Sequence, residues 1–283
     1  MARRASGRSR GGALSRRRGR ADTVRARRSR DAAGTTRKRA GAAPKTADKQ
    51  ALREAIWTLL ARRRLGRFPF PLTDRIPNFR GAEAAAEQLA TLPEWTTARR
   101  LKCNPDAAQL PVRRAALAAG KHVFMAVPRL SAAKCFLHLD PARLHGRLAQ
   151  AATIGGAAKL GTPVGPDALG HVDLIVAGSV AVDRRGGRVG KGGGYSDLEF
   201  ALAVAHGAVD DTTLVVTTVH DTQVVRGPIP MTPHDVPVDV VATPTRLMRT
   251  RHTLPRPTGI RWDELTDAQL AAMPPVAALA RRA

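Results

Sequence analysis

The chain has 283 residues, of which 43% are apolar, enough to build the core of one good-sized domain. Its two cysteines exclude a disulfide framework and every four-cysteine zinc site, and no apolar run approaches the roughly 20 residues of a membrane-spanning helix. A net charge of +24 would point to a polyanionic partner if it were spread evenly over a folded surface.

Much of this charge lies in the first 48 residues, which carry 16 Lys and Arg against Asp22, Asp31 and Asp48. Large apolar side chains are scarce there, so burial cannot offset the entropy of ordering the segment, and we expect a disordered basic tail over residues 1–48. Three interpretations stay open: a solvated polycation without a dedicated role, an organelle transit peptide, and an arm that binds nucleic acid non-specifically through its phosphates.

The transit peptide is not favoured, because the tail lacks a clear amphipathic apolar face. The two isolated cysteines suit a reducing compartment. We therefore expect a soluble cytoplasmic protein without a membrane partner, either a monomer or a homodimer.

The first predicted helix begins at Lys49, with Asp48 as its N-cap and apolar residues recurring at helical spacing from Leu52 onward. Three prolines between Phe68 and Phe79 predict an irregular, extended connection. Strong helix formers resume over residues 81–91 and predict a second helix.

Beyond residue 100, short β-favouring runs alternate with helical ones, the pattern of parallel strands joined by crossovers. This pattern predicts an α/β domain over residues 49–250, a three-layer α/β/α sandwich with a mostly parallel sheet. Residues 251–283 are punctuated by prolines and predict a C-terminal extension with a short helix around 263–272. The predicted strands are 101–103, 122–127, 171–183, 213–219 and 236–243, and the predicted helices among them are 107–119 and 197–206.

The segment from Arg188 to Asp197, RVGKGGGYSD, places four glycines, one Arg and one Lys between a buried strand and a helix. Backbone N–H groups and a helix N-terminus can bind an anion there, and glycine lets the backbone approach a phosphate closely. A Walker A loop would need Ser or Thr at 192, and a dinucleotide fingerprint would need Gly at 195, so the spacing excludes both. The sequence predicts a phosphate site; a flexible hairpin with solvated charges is the alternative.

The segment from Asp173 to Phe200 resembles the signature of the 5-formyltetrahydrofolate cyclo-ligase family, whose loop has the form R-x-G-[KR]-G-x-G-Y-[YA]-D. Two further segments agree with it. KQALR, from Lys49 to Arg53, resembles the K-x-x-L-R of the family's first helix, although such an i, i+4 pair is otherwise an ordinary solvated face. IPMTPHDVPVDVV, at 229–241, resembles the family's closing segment and carries Asp235 and Asp239.

Three other stretches, 75–89, 102–113 and 127–130, are similar to a branch of the family named methenyltetrahydrofolate synthetase domain-containing proteins. The resemblance covers roughly residues 49–275. It implies conversion of 5-formyltetrahydrofolate, a reduced folate, to 5,10-methenyltetrahydrofolate, with ATP and Mg²⁺ required and ADP and phosphate released.

The resemblance also implies roles for individual residues. Arg188 and Lys191 are the implied catalytic residues, and Lys191 faces the transferring phosphoryl group or the formyl oxygen. Asp197 and Asp235 are the implied Mg²⁺ ligands, while Asp239 positions its loop. The implied ATP-binding residues are Lys49, Arg53, Arg188, Gly190, Lys191, Gly192, Gly193, Gly194 and Tyr195, and the folate-binding candidates are Tyr195 and Ser196. Glu83, in the helix after the proline segment, is a further folate-binding candidate, as a carboxylate for the polar edge of the pterin.

Two positions depart from the family's pattern. Gly193 stands where many members have a second Lys, and Ser196 stands where many have a second Tyr. Two alternative functions therefore stay open: a non-catalytic homologue that binds folate or nucleotide, and a nucleic-acid-associated protein that acts through its basic tail.

Overall fold

The computed structural model describes residues 48–251 and 254–281, so the predicted tail lies outside the described residues except for Asp48. The helices of the described part are α1 (Lys49–Arg62), α2 (Ala82–Ala90), α3 (Pro93–Thr97), α4 (Leu110–Ala118), α5 (Leu148–Ala151), α6 (Ile154–Leu160), α7 (Tyr195–Ala205), α8 (Asp267–Ala272) and α9 (Pro274–Ala280). Its strands are β1 (Gly66–Arg67), β2 (Asn78–Phe79), β3 (Arg100–Cys103), β4 (His122–Ala126), β5 (Phe136–Leu139), β6 (Thr162–Val164), β7 (Leu174–Val176), β8 (Ala181–Val182), β9 (Arg188–Val189), β10 (Leu214–Thr218), β11 (Val240–Ala242) and β12 (Leu247–Arg249).

The central sheet has eight strands in the order β12-β11-β10-β7-β3-β4-β5-β6. Its middle, from β11 to β4, is parallel. At one edge β12 pairs antiparallel with β11; at the other, β5 pairs antiparallel with β4, and β6 pairs antiparallel with β5 and so runs in the direction of the middle strands. The sequence predicted the parallel middle but missed β5, β6 and β12.

Successive residues of the central strands pack against opposite layers of helices, as the two-residue period of a strand requires. In β7, Leu174 and Val176 join the apolar cluster that contains residues of α2 and α4. Ile175, between them, joins the cluster that contains Phe200 of α7. The sheet is therefore buried on both faces, which confirms the predicted three-layer α/β/α arrangement.

The predicted strand 171–183 is divided in the structure. β7 ends at Val176, and the chain then leaves the sheet and forms the hairpin of β8 and β9, in which Val182 pairs with Arg188. Asp183 closes the hairpin turn by accepting hydrogen bonds from the N–H groups of Arg185 (2.7 Å) and Gly187 (2.9 Å). The glycine loop follows directly after this hairpin.

Helix α1 begins where the sequence predicted, because the Asp48 carboxylate accepts a hydrogen bond from the N–H of Gln50 at 3.0 Å. Its apolar face, including Leu52 and Ile56, packs with Val189 of β9 in a third apolar cluster. This packing places the first turn of α1 next to the glycine loop.

The C-terminal part is built into the domain. Met273, between α8 and α9, and Val276 of α9 are buried in the same apolar cluster as Phe200 of α7. The predicted helix around 263–272 appears as a 3-10 turn over Trp262–Glu264 followed by α8. Within residues 48–251 and 254–281, no helix has the length and apolar character needed to cross a bilayer.

Candidate active site

A cleft of about 650 Å³ lies where the parallel strands β3, β4 and β7 end. The chain leaves β3 toward β4 on one side and leaves β7 toward β10 on the other, so the strand order reverses between β3 and β7. Crevices at such reversal points are the usual ligand sites of open α/β sheets, because the segments that follow the two strands diverge there.

The glycine loop, Gly190 to Gly194, forms one wall of this cleft. Gly192 has φ +111° and Gly194 has φ +67°, values that residues with a Cβ adopt only under strain. Gly194 is also the N-cap of α7, and no side chain caps that helix end. The loop therefore presents backbone at a helix N-terminus, a setting suited to a phosphate.

Two basic residues of α1 face this loop. The Arg53 guanidinium donates from Nε to the carbonyl of Gly190 at 2.8 Å and from Nη1 to the Gln50 side chain at 3.1 Å. Partial burial lowers the pKa of Arg53, and the charge of Asp235 is one of those that oppose this change. Lys49, one turn earlier, forms an ion pair with Asp235. The K-x-x-L-R segment thus reaches the glycine loop in the folded chain.

Asp235 is held as an anion by its neighbours. Its Oδ2 accepts hydrogen bonds from the N–H of Thr232 at 2.6 Å and from the Thr232 hydroxyl at 2.7 Å, in addition to the ion pair with Lys49. Burial alone would raise the pKa of the Asp235 carboxyl, but these bonds outweigh burial and hold the pKa below its ordinary value.

Arg188 is buried and bonded to protein groups on three sides. Its Nη1 donates to the carbonyl of Gly178 at 3.1 Å, its Nε donates to the carbonyl of Val236 at 3.3 Å, and its Nη2 pairs with Asp197. Asp197 in turn accepts a hydrogen bond from the N–H of Val236 at 3.0 Å. In this arrangement Arg188 ties the glycine hairpin, α7 and the segment after Asp235 together.

Lys191 differs from Arg188 because its side chain is 49% exposed. Its ammonium lies 3.9 Å from a carboxylate oxygen of Asp106, which follows β3 on the other side of the cleft. Burial raises the pKa of Asp106, and the charges of Lys191 and Arg113 oppose that rise. Asp106 was not predicted from the sequence, although its position directly after a parallel strand was a usable signal.

The floor of the cleft contains a buried ion pair between Lys102 of β3 and Glu199 of α7. Asn104 donates to the Glu199 carboxylate at 3.2 Å, and its side-chain oxygen accepts hydrogen bonds from the N–H of Gly178 at 3.2 Å and from the Ser196 hydroxyl at 3.3 Å. Burial raises the pKa of Glu199, against the opposing charge of Lys102. None of Lys102, Asn104 and Glu199 was predicted from the sequence.

The structure brings every candidate site residue of the sequence into this cleft except Glu83 and Asp239. Glu83 is exposed on α2 and does not line the cleft. Asp239 accepts a hydrogen bond from the N–H of Val215 at 2.7 Å, a position inside the fold. The candidate residues that line the cleft are Lys49, Arg53, Arg188, Gly190, Lys191, Gly192, Gly193, Gly194, Tyr195, Ser196, Asp197 and Asp235.

Among the described residues, no group of three or more His, Cys, Asp or Glu side chains is placed to hold a metal ion. Mg²⁺ needs less from a protein when phosphate is present, since one or two carboxylates and the phosphate oxygens complete its shell. Asp197 and Asp235 both line the cleft beside the glycine loop and meet that smaller requirement.

The sequence matches the 5-formyltetrahydrofolate cyclo-ligase family over residues 45–244, a span that contains every residue implied for the site. The chain belongs to this family. It is 43% identical over 229 residues to a methenyltetrahydrofolate synthase domain-containing protein of Bos taurus, covering 80% of this chain and 60% of that protein. A 5-formyltetrahydrofolate cyclo-ligase of Mycolicibacterium smegmatis is 36% identical over 80 residues, which cover 28% of this chain and 38% of that protein.

Among solved structures, Aquifex aeolicus 5,10-methenyltetrahydrofolate synthetase matches with a TM-score of 0.46 and 21% identity over 73% of this chain and 95% of that one. The chain spans about 60% of the length of the methenyltetrahydrofolate synthase domain-containing proteins that it matches. The family match ends at residue 244, before the C-terminal segment that packs on α7.

Proposed function

We propose that this member of the family converts 5-formyltetrahydrofolate to 5,10-methenyltetrahydrofolate, using ATP and Mg²⁺ and releasing ADP and phosphate. One observation carries the proposal: Lys191 of the glycine loop and Lys49 and Arg53 of α1 line one cleft with the N-terminus of α7, at the carboxyl ends of the parallel strands. Three cations and a helix N-terminus that no side chain caps suit a triphosphate, and the residues match a family whose name describes this chemistry.

The reaction needs a leaving group where the substrate has only an amide oxygen. The formyl oxygen of the substrate attacks the terminal phosphorus of ATP, the bond to ADP breaks, and the oxygen becomes a phosphate ester. The N10 nitrogen then attacks the formyl carbon, the N10 proton passes to solvent, and phosphate departs with its bonding electron pair. Phosphoryl transfer of this kind depends mainly on positioning and charge neutralisation.

The residues of the cleft suit these two requirements. Lys191 is exposed and has Asp106 as a distant ionic partner, so its ammonium is free to follow the transferring phosphoryl group. Lys49 and Arg53 contact the other phosphates. Arg188 acts as a positioning residue, because its bonds hold Asp197 against the segment that follows Asp235.

Asp197 and Asp235 would hold Mg²⁺, which supplies neutralisation of the phosphate charges when it is bound. Tyr195 and Ser196 also line the cleft, and we assign them to the folate. Asp106 replaces Glu83 as the carboxylate available to the polar edge of the pterin, because Asp106 lines the cleft and Glu83 does not.

The test is the appearance of 5,10-methenyltetrahydrofolate absorbance from 5-formyltetrahydrofolate, measured with and without ATP and with and without Mg²⁺. We expect turnover only with both. Lys191→Ala should lower kcat by about 100-fold or more, because a group that stabilises charge in the transition state is lost. Arg114→Ala, which removes an exposed Arg from α4, is the matched control and should keep the wild-type rate.

Two results would contradict the proposal. Binding of ATP with Mg²⁺ but no turnover would favour the non-catalytic homologue. An unchanged kcat in Lys191→Ala would show that Lys191 takes no part in the reaction.

A further inference from the structure

A second cavity, of about 220 Å³, adjoins the cleft along the glycine loop. Gly192, Gly193, Gly194, Asp197 and His234 line both spaces. The rest of the cavity wall comes from α7 and from residues 259–269. Residues 259–269 lie beyond residue 244, outside the span that matches the family.

The wall formed by residues 259–269 is anchored to the domain. Met273 and Val276, which follow it, are buried among the side chains that pack under α7, and Leu265 packs against the same cluster. The segment is therefore held in place by apolar contacts, and the cavity that it encloses is a built feature of the fold.

Polar contacts connect this wall to Asp235, in the part of the cleft where we place the phosphates. Glu264 pairs with His234 and lies 3.4 Å from the Arg261 Nε. The His234 ring shares a hydrogen bond with the Thr232 hydroxyl at 3.1 Å, and that hydroxyl donates to Asp235 at 2.7 Å. A continuous chain of contacts thus runs from the C-terminal segment to the carboxylate that pairs with Lys49.

The lining of the cavity suits a flat ring that carries polar groups. Leu198, Ala201 and Leu265 supply apolar surface, while Arg261 and Gln269 supply hydrogen-bond donors. At about 220 Å³, the cavity is smaller than the roughly 300–1,000 Å³ that encloses a whole small-molecule ligand. It has room for one part of a ligand whose remainder lies in the adjoining cleft.

We propose that this cavity binds the nucleoside end of ATP, with the triphosphate passing over the glycine loop into the cleft. The proposal rests on the proposed function, since direct transfer requires the terminal phosphate to face the folate. The nucleoside then extends from the other end of the triphosphate, away from Asn104 and Asp106. Arg261 and Gln269 contact the base and ribose, and Leu198 and Leu265 pack on the ring.

The experiment compares two ligands that share phosphates but not a nucleoside. Calorimetric titration of the full chain with Mg²⁺ uses a non-hydrolysable ATP analogue in one arm and inorganic tripolyphosphate in the other. The two test variants are Arg261→Ala and Gln269→Glu, and Arg114→Ala on α4 is the control. Gln269→Glu keeps an acceptor for the Thr266 N–H, which the Gln269 side chain binds at 2.9 Å, so the start of α8 is retained.

We expect both test variants to bind the ATP analogue about tenfold more weakly, because each loses a hydrogen bond to the nucleoside. Their affinity for tripolyphosphate should equal that of the wild-type chain and of Arg114→Ala. Unchanged affinity for the analogue would overturn the assignment, and so would an equal loss for both ligands. Weaker binding of 5-formyltetrahydrofolate with unchanged binding of the ATP analogue would show that the cavity binds the folate instead.

The two proposals fail in different ways. If the wild-type chain bound neither the ATP analogue nor tripolyphosphate, the proposed function itself would be wrong. If the wild-type chain bound both and made product, while the variants kept full affinity for the analogue, only the nucleoside cavity would be lost.

Discussion

At the scale of single residues, the ion pair between Lys102 and Glu199 lies beneath the cleft with only 1% and 5% of the two side chains exposed. Removal of one partner leaves the other charge buried and uncompensated. We therefore expect Lys102→Met and Glu199→Leu each to lower the free energy of unfolding by about 3–5 kcal/mol. Urea denaturation followed by circular dichroism measures both losses.

The double variant Lys102→Met/Glu199→Leu is the control, because it leaves neither charge unpaired. We expect it to be more stable than either single variant, since apolar residues can replace a buried ion pair at little net cost. Additive losses in the double variant would show that the two side chains stabilise the fold independently.

At the scale of elements, the glycine loop needs glycine for two reasons: its backbone has positive φ angles, and the proposed ligand must approach that backbone closely. A Cβ at Gly194 would meet no described protein atom within 4 Å, so Gly194→Ala strains the backbone at φ +67° and adds a methyl group beside the phosphate path. We expect it to lower stability by roughly 1 kcal/mol and to weaken ATP binding by about tenfold. Thermal unfolding and calorimetric titration measure the two effects.

Gly120 offers a matched comparison, because it has φ +73° and equally open surroundings but follows α4 outside the cleft. Gly120→Ala should lose similar stability and keep its affinity for ATP. Equal ATP affinity in the two variants would mean that the backbone at Gly194 does not approach the nucleotide.

The elements also show which features were readable from the sequence. Leu174–Val176 and Leu214–Thr218 were predicted as strands because their apolar runs are local signals, and the loop motif was predicted because its residues are contiguous. The sequence shows that Asp106 follows a predicted strand and that Glu199 lies on a predicted helix. Which side chains lie opposite them in the cleft is a property of the tertiary fold, so their proximity to Lys191 and Lys102 was missed.

At the scale of the whole molecule, the C-terminal segment packs into the core of the domain that precedes it. From its prolines, the sequence predicted an extension with a short helix there. It carried no signal that Met273 and Val276 would be buried in the core beside α7. Burial of this kind arises from long-range packing, which the periodicity of a short helix cannot specify. The cavity at the glycine loop is a consequence of that packing.

The basic tail allows a test that separates charge from catalysis. Deletion of residues 1–47 removes 16 Lys and Arg together with Asp22 and Asp31. If the tail binds nucleic acid through phosphates, the slope of log affinity against log salt for single-stranded RNA should become shallower by roughly 0.7 for each phosphate that the shortened chain no longer neutralises. Fluorescence anisotropy between about 50 and 200 mM salt measures that slope.

Folate turnover should stay at the wild-type rate, because every residue that lines the cleft follows residue 48. A slope that is the same with and without the tail would exclude the nucleic-acid arm and favour a solvated polycation.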